Sequence, residues 1–243
     1  MRYLIKFSYD GACFSGFQRQ NGLKTVQGVI EDVLTKLEGN KVVIHASGRT
    51  DKGVHARCQC AHFDLQRNVK LYNLKNYLNS GFDGEIHVFD IEEVSSDFHA
   101  RYDVKSKTYS YYINLGEFDP ISRNYIYQYC NNLDVSLMKE ASLCLIGEHD
   151  FRSFCTGEKD KENCVRNIYS IDFELSNDIL KITFGGNGFL RKMIRNIVAI
   201  LIEVGSLRKD VSYVKEVLDE NDRCGGLKSV LGCGLYLEEV NYD

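Results

Sequence analysis

Residues 45–57 read His45-Ala46-Ser47-Gly48-Arg49-Thr50-Asp51-Lys52-Gly53-Val54-His55-Ala56-Arg57, the densest polar segment of the chain. Two glycines bracket Arg49-Thr50-Asp51-Lys52, so the backbone can turn sharply and present those four side chains. Three cations, Arg49, Lys52 and Arg57, surround one carboxylate, Asp51. A neighbouring guanidinium favours the ionised, nucleophilic form of a carboxylate. The same residues also suit a charged hairpin turn, so the meaning of the segment depends on what flanks it.

Working outward, residues 41–46 and 58–65 read as the strands on either side. Upstream, Tyr3, Ile5, Phe7 and Tyr9 alternate with Arg2, Lys6 and Ser8, the pattern of a strand with one buried face, which Asp10-Gly11 ends. Thr25 can cap a helix whose apolar residues Val26, Ile30, Val33, Leu34 and Leu37 share one side, with Gly39 as its stop. A helix at 70–79 and strands at 86–94 and 107–115 follow. The second half repeats the vocabulary: a helix at 134–146, strands at 165–175 and 179–185, a long helix at 187–204, a shorter one at 211–219 and a last strand at 234–242. This order predicts an α+β protein with two helix-covered, mostly antiparallel sheets flanking a cleft. The subdomains are expected at residues 1–105 and 106–243, with no Pro/Ser linker between them.

The chain has 243 residues, enough to bury a core without disulfides or metals. Its net charge is −4, from 30 basic and 34 acidic residues, which on its face speaks against a nucleic-acid partner. The surplus is local, however: residues 203–243 hold 5 basic and 9 acidic residues and account for all of it. The nine cysteines (13, 58, 60, 130, 144, 155, 164, 224 and 233) are odd in number and lack CxxC spacing, which points to free thiols rather than a disulfide framework or a zinc site. The N-terminus has no apolar signal core, and the most apolar stretch, Ile197 to Ile202, is far short of the ~20 residues that span a bilayer. A soluble protein of a reducing cytoplasm is expected.

Three further segments carry candidate chemistry. Phe98-His99-Ala100-Arg101-Tyr102, with Lys105, Lys107 and Tyr109 beyond it, interleaves cations and aromatics. RNA asks for that mixture, and so does an ordinary half-buried tyrosine-rich strand. In Asn187-Gly188-Phe189-Leu190-Arg191-Lys192-Met193-Ile194-Arg195-Asn196, helical spacing would put Arg191, Lys192 and Arg195 in one sector, opposite a broad apolar arc. No acid lies between 187 and 202. The loop after Tyr9 supplies amides and Arg19.

Together these segments resemble the TruA family of tRNA pseudouridine synthases, in order and over essentially the whole chain. The matching residues are Tyr9-Asp10-Gly11, Phe14-Ser15-Gly16-Phe17-Gln18-Arg19-Gln20, Thr25-Val26-Gln27, Gly48 to Ala56, Gln59, His62-Phe63, Phe98-His99-Ala100-Arg101, Tyr109-Ser110-Tyr111, Gly147 to Phe151, Met193-Ile194-Arg195-Asn196 and Gly234 to Leu237. The chain departs from the family at Val230-Leu231, where Ala-Pro is usual.

The resemblance implies a pseudouridine synthase fold with two ferredoxin-like halves and a basic cleft. It implies isomerisation of uridine to pseudouridine at positions 38, 39 and 40 of the tRNA anticodon stem-loop, by a homodimer with no metal and no organic cofactor. The family's catalytic residues map to Asp51, Tyr109 and Arg195. Around them Arg49, Arg19, Lys52, His55, Arg101, Lys107, Arg191 and Lys192 are the candidate substrate contacts.

The residue types suit the reaction, which detaches uracil from C1′, turns it and rejoins it through C5 with no redox or phosphoryl step. Ionised Asp51 can attack C1′ or C6, or remove the C2′ proton; residue type does not choose among these. Two other classes compete for the same residues. An inactive RNA-binding protein on the same fold would not need Asp51, Tyr109 and Arg195 together. A nucleotide-binding enzyme would show GxxxxGK[ST] or GxGxxG, and neither occurs.

Overall fold

The computed structural model describes residues 1–156, 163–220 and 228–243. Cys224 therefore lies outside the described residues; the other eight cysteines are free thiols. The described chain forms two compact units, Met1–Lys105 with Tyr236–Asp243, and Ser106–Leu235.

The first unit runs β1 (Arg2–Tyr9), α1 (Val26–Glu38), β2 (His45–Ala46), β3 (His55–Asp64), α2 (Leu71–Ser80) and β4 (Ile86–Val94). Its strands lie in the order β4-β1-β3 with β2 against β3, all antiparallel, which is the β-α-β-β-α-β arrangement of a ferredoxin-like half. The alternation in β1 is realised: Tyr3, Ile5 and Phe7 are fully buried. Thr25 Oγ1 accepts from the Gly28 amide at 3.2 Å, and Gly39 ends α1 in the left-handed conformation at φ 81°.

Two expectations change here. The strand read over 41–46 shrinks to His45–Ala46, because the preceding amides go to side chains of α1 instead of a strand. Val42 N donates to Thr35 Oγ1 at 3.2 Å and Ile44 N to Glu31 Oε1 at 3.2 Å. Val42 and Ile44 are nonetheless buried, so the alternation reported burial correctly but not the partner. The last strand, β10 (Leu235–Asn241), was read with the second subdomain. It pairs in parallel with β3 of the first unit, Tyr236 opposite His55 and Leu237 opposite Ala56.

The second unit contains β5 (Ser106–Asn114), β6 (Tyr127–Gln128), α3 (Val135–Ser142), β7 (Gly147–Asp150), β8 (Val165–Ser176), β9 (Ile179–Gly186), α4 (Met193–Gly205) and α5 (Tyr213–Asp219). Its strands are ordered β5-β9-β8-β7, antiparallel, with β6 parallel against β5. The short strands β6 and β7 carry too few residues for an alternation to be read. Helix α3 is shorter than the 134–146 expected and continues as a 3-10 turn over Leu143–Leu145.

The long helix also starts later than read, at Met193 instead of 187. Asn187 N donates to Asn167 O at 3.0 Å and Asn167 N to Asn187 Oδ1 at 3.0 Å, so the chain beyond β9 stays tied to β8. Lys192 then takes a left-handed conformation at φ 61° before the helix begins. Arg191 and Lys192 thus sit in a turn and do not share a helical sector with Arg195. The apolar spacing of Phe189, Leu190, Met193 and Ile194 imitated a helical face across that turn.

Candidate active site

The loop that carries Asp51 is anchored at both ends. At its start Ser47 N donates to Cys60 O at 2.8 Å, Ser47 Oγ to Gln59 Oε1 at 2.6 Å, and Gln59 Nε2 to Gly48 O at 3.1 Å. Gln59 is fully buried in β3, a polar side chain whose work is to hold this loop. At the far end Val54 N donates to Asp51 O at 3.2 Å, closing a tight turn over Gly53, which has φ 78°.

The residues after β1 hold the loop from beneath. Phe17 N donates to Thr50 O at 3.1 Å, and Tyr9 Oη and Thr50 Oγ1 are 2.8 Å apart. Burial pushes the Tyr9 phenol up to about 12, so it remains a neutral hydrogen-bonding group. Gly11 has no room for a side chain: a Cβ there would stand 2.1 Å from Val54 O. The Tyr9-Asp10-Gly11 and Gly16-Phe17 motifs, some forty residues upstream, are therefore parts of one scaffold with the Asp51 loop. Asp51 itself is half-buried, while Arg49 and Lys52 are exposed beside it.

His55, expected to touch substrate, is 2% exposed. Its Nδ1 accepts from the Gly11 amide at 3.0 Å and its ring stacks on Tyr236 with centroids 4.6 Å apart, so the structure places it as a support under the loop. Arg19, expected on phosphate, is exposed and is paired within the protein. It donates to Glu31 Oε2 at 2.7 Å, to Asp32 Oδ1 at 2.7 Å and to Gly28 O at 2.8 Å, and this pairing raises its pKa. Two carboxylates thus compensate its charge. Glu31 is buried and also accepts from Gln27 Nε2 and Ile44 N, so one carboxylate ties Arg19, α1 and the stretch before β2 together.

Arg101 is exposed and lies over the Tyr102 ring at 5.8 Å; Tyr102 meets His99 at a tilt, His99 meets His62 edge to face, and His62 stacks on His45. Among the described residues no group of His, Cys, Asp and Glu is arranged to hold a metal ion, and no helix is long and apolar enough to cross a membrane.

In the second unit Tyr109 sits in β5 opposite Phe184 of β9 and is 8% exposed. Lys107, two residues earlier, is half-buried opposite Gly186. Arg195 lies in the first turn of α4, where Met193 and Ile194 are buried and Arg195 and Asn196 half-buried. Its Nε donates to Val230 O at 2.7 Å. Tyr111 Oη donates to Leu231 O at 2.7 Å, and Asn196 bonds Ser229 Oγ. Val230-Leu231 is the stretch that departs from the family pattern. The groups that hold Val230 and Leu231 grip main-chain carbonyls, which explains why other side chains fit there. Arg191 is exposed and Lys192 half-buried in the turn before α4.

The family profile described as "tRNA pseudouridine synthase" matches residues 6–103 and 141–243. The chain belongs to the TruA family of tRNA pseudouridine synthases. A protein named tRNA pseudouridine synthase A from Streptococcus agalactiae serotype Ia is 43% identical over 246 aligned positions, covering 100% of this chain and 95% of that one. Another of the same name from Streptococcus pyogenes serotype M1 is 41% identical over 247 positions, with coverage of 100% and 99%. A solved chain titled "Crystal Structure of a Cbf5-Nop10-Gar1 Complex" aligns over 82% of this chain and 45% of that chain at 12% identity, with a TM-score of 0.38. Pseudouridine synthases are isomerases, and membership of this family makes the chain a tRNA-modifying isomerase.

The sequence singles out Asp51, Tyr109 and Arg195, and places Gln59 among the residues of the resemblance without a role; Phe189 counts there only as part of an apolar arc. Gln59 was visible as an amide standing in an otherwise apolar stretch of strand, between Cys58 and Cys60. Phe189 was hidden because its spacing matched a helix that does not extend to it.

Proposed function

We propose that this chain converts uridine to pseudouridine at positions 38, 39 and 40 of the tRNA anticodon stem-loop, acting as a homodimer with neither metal nor organic cofactor. Asp51 starts the reaction, by attack on C1′ or C6 or by taking the C2′ proton. The N1–C1′ bond breaks, the uracil turns, and a C5–C1′ bond forms while the C5 proton leaves and N1 regains one. Tyr109 stacks on the uracil and helps to carry the C5 proton. Arg195 and Arg49 hold negative charge near the reacting nucleotide. Lys52, Arg101, Lys107, Arg191 and Lys192 meet phosphates, and His55 serves the substrate through the loop it supports. The target base must leave its stack to be reached, at a cost of about a few kcal/mol.

The observation that carries this reading is the clamp on the Asp51 loop. Tyr9 Oη and the Phe17 amide hold Thr50, the Gln59 amide holds Gly48 O, and His55, just beyond the loop, accepts from Gly11, so the turn that presents half-buried Asp51 is held on both sides. A charged surface turn would not require four buried or main-chain anchors. The test is tritium release from tRNA labelled at C5 of uridine, with pseudouridine mapping at positions 38–40. Wild-type protein should release tritium and Asp51→Asn should release none while still binding tRNA. Release by the Asn variant at the wild-type rate removes Asp51 from the mechanism, and pseudouridine mapped elsewhere removes the anticodon stem-loop.

A further inference from the structure

We infer that Phe189 is a positioning residue for Tyr109, fixing the angle at which that tyrosine's ring is presented to the target base. This rests on the proposal that Tyr109 acts on the uracil. The two rings meet edge to face, with centroids 5.3 Å apart and planes at 81°. That is a favoured geometry for two aromatic quadrupoles, and it resists rotation of either ring.

Phe189 reaches this place through a built path. Beyond the end of β9, the pair of hydrogen bonds between Asn187 and the Asn167 main chain fixes where the strand is left. Gly188, at φ 156°, lets the chain turn, and Phe189 folds back over Gly186. Gly186 is opposite Lys107, one register pair along the same face from Tyr109 and Phe184. A Cβ on Gly186 would stand 2.8 Å from Asn167 O and 3.1 Å from Phe189 Cζ. The glycine therefore leaves room for the Asn167 carbonyl and, beside it, for the Phe189 ring, which in turn meets Tyr109. Phe189 is half-buried, so its service to the core is smaller than that of the fully buried Phe184, the register partner of Tyr109. A residue needed only for packing would not require a glycine beneath it, a glycine turn before it and an edge-on approach to one tyrosine.

The experiment compares Phe189→Leu, Phe189→Tyr, Gly186→Ala and Tyr109→Leu in the full chain, by tritium release from C5-labelled tRNA and by thermal melting. Loss of orientation should lower kcat of Phe189→Leu about 10- to 100-fold with KM within about twofold, since substrate binding is not what Phe189 serves. Phe189→Tyr keeps the ring and should restore kcat, whereas Gly186→Ala, whose methyl meets the Asn167 carbonyl before the ring, should lower kcat and melting temperature together. A wild-type kcat in Phe189→Leu overturns the inference. A phenylalanine-to-tyrosine variant as slow as the leucine one overturns it too, as does a kcat of Phe189→Leu that falls only in step with melting temperature. Tyr109→Leu separates the two levels. If it keeps wild-type kcat, the reading of Tyr109 fails. If it is inactive while Phe189→Leu is unimpaired, only the positioning inference fails.

Discussion

The backbone amide of Gly11 donates to Nδ1 of His55 at 3.0 Å, a buried hydrogen bond between residues 44 positions apart. It ties the end of β1 to the first residue of β3, directly beyond the Asp51 loop. The same Nδ1 lies 3.3 Å from Asp10 Oδ1, so the end of β1, Asp10 and Gly11 all converge on this ring. His55→Ala leaves the Gly11 amide buried without an acceptor, a cost of about 1–3 kcal/mol. Denaturant unfolding should show that loss, together with reduced kcat from a loosened loop. Unchanged stability would mean the bond contributes nothing.

Gly11→Ala should be worse for activity than for folding. The added Cβ would stand 2.1 Å from Val54 O and 2.4 Å from Val54 C, so the loop after Asp51 must shift. Overpacking of this kind costs about 1–3 kcal/mol, while a displacement near 1 Å at a catalytic group can cost about 100-fold in rate. Tritium release and thermal melting on the same preparation check both parts.

Stability should fall as acid is added through the histidine range. His62 is 2% exposed and its Nδ1 accepts from Ala100 N at 3.1 Å. Burial first, then the charge of Arg2 and the neighbouring His99 and His45, lowers its pKa to about 4. The unfolded chain takes up that proton near pH 6.5, before the folded one does. The contribution is complete above about pH 6.5 and is lost as pH falls toward about 4. His99 is lowered too, chiefly by burial, and acts in the same direction. Melting temperature against pH should slope less in His62→Gln than in the wild type; parallel curves would exclude His62 as the source.

Binding of tRNA should weaken steeply with added salt, and the cations should not contribute alike. Arg49→Gln and Lys52→Gln, at exposed positions beside Asp51, should each reduce the salt slope by about one. Arg19→Gln should leave the slope alone and instead destabilise the fold by about 1–3 kcal/mol, because buried Glu31 loses its charged partner. A slope change from Arg19→Gln would return it to the phosphate contacts.

The second unit offers a parallel test at Tyr111. It is fully buried, and its hydroxyl donates to Leu231 O. Tyr111→Phe removes one grip on that stretch and should cost about 0.5–1.5 kcal/mol in denaturant unfolding. Because Arg195 Nε holds the adjacent Val230 O, the same variant should also lower kcat. Wild-type kcat with lowered stability would show that the grip serves folding alone.

Much of this protein could be read directly from its residues. Alternation along Arg2–Tyr9, the Thr25 cap and the Gly39 stop located β1 and α1, because period and capping chemistry are local properties of the chain. The Gly48–Ala56 motif located the candidate loop for the same reason: its residue types and spacing are adjacent in sequence. What stayed hidden was settled by groups far apart along the chain. Val42 and Ile44 alternate like a strand, yet their amides go to Thr35 and Glu31 of α1. Residues 187–192 are spaced like a helix, yet their first amide is held by Asn167. His55 and Arg19 stand in the sequence as bare polar residues, and the bonds from Gly11 to His55 and from Arg19 to Glu31 are not marked there. The sequence by itself determined the family, the order of elements and the identity of the candidate groups. The tertiary structure alone decided which polar atoms are already engaged by the protein, because a hydrogen-bond donor has no sequence mark for the acceptor that folding brings to it.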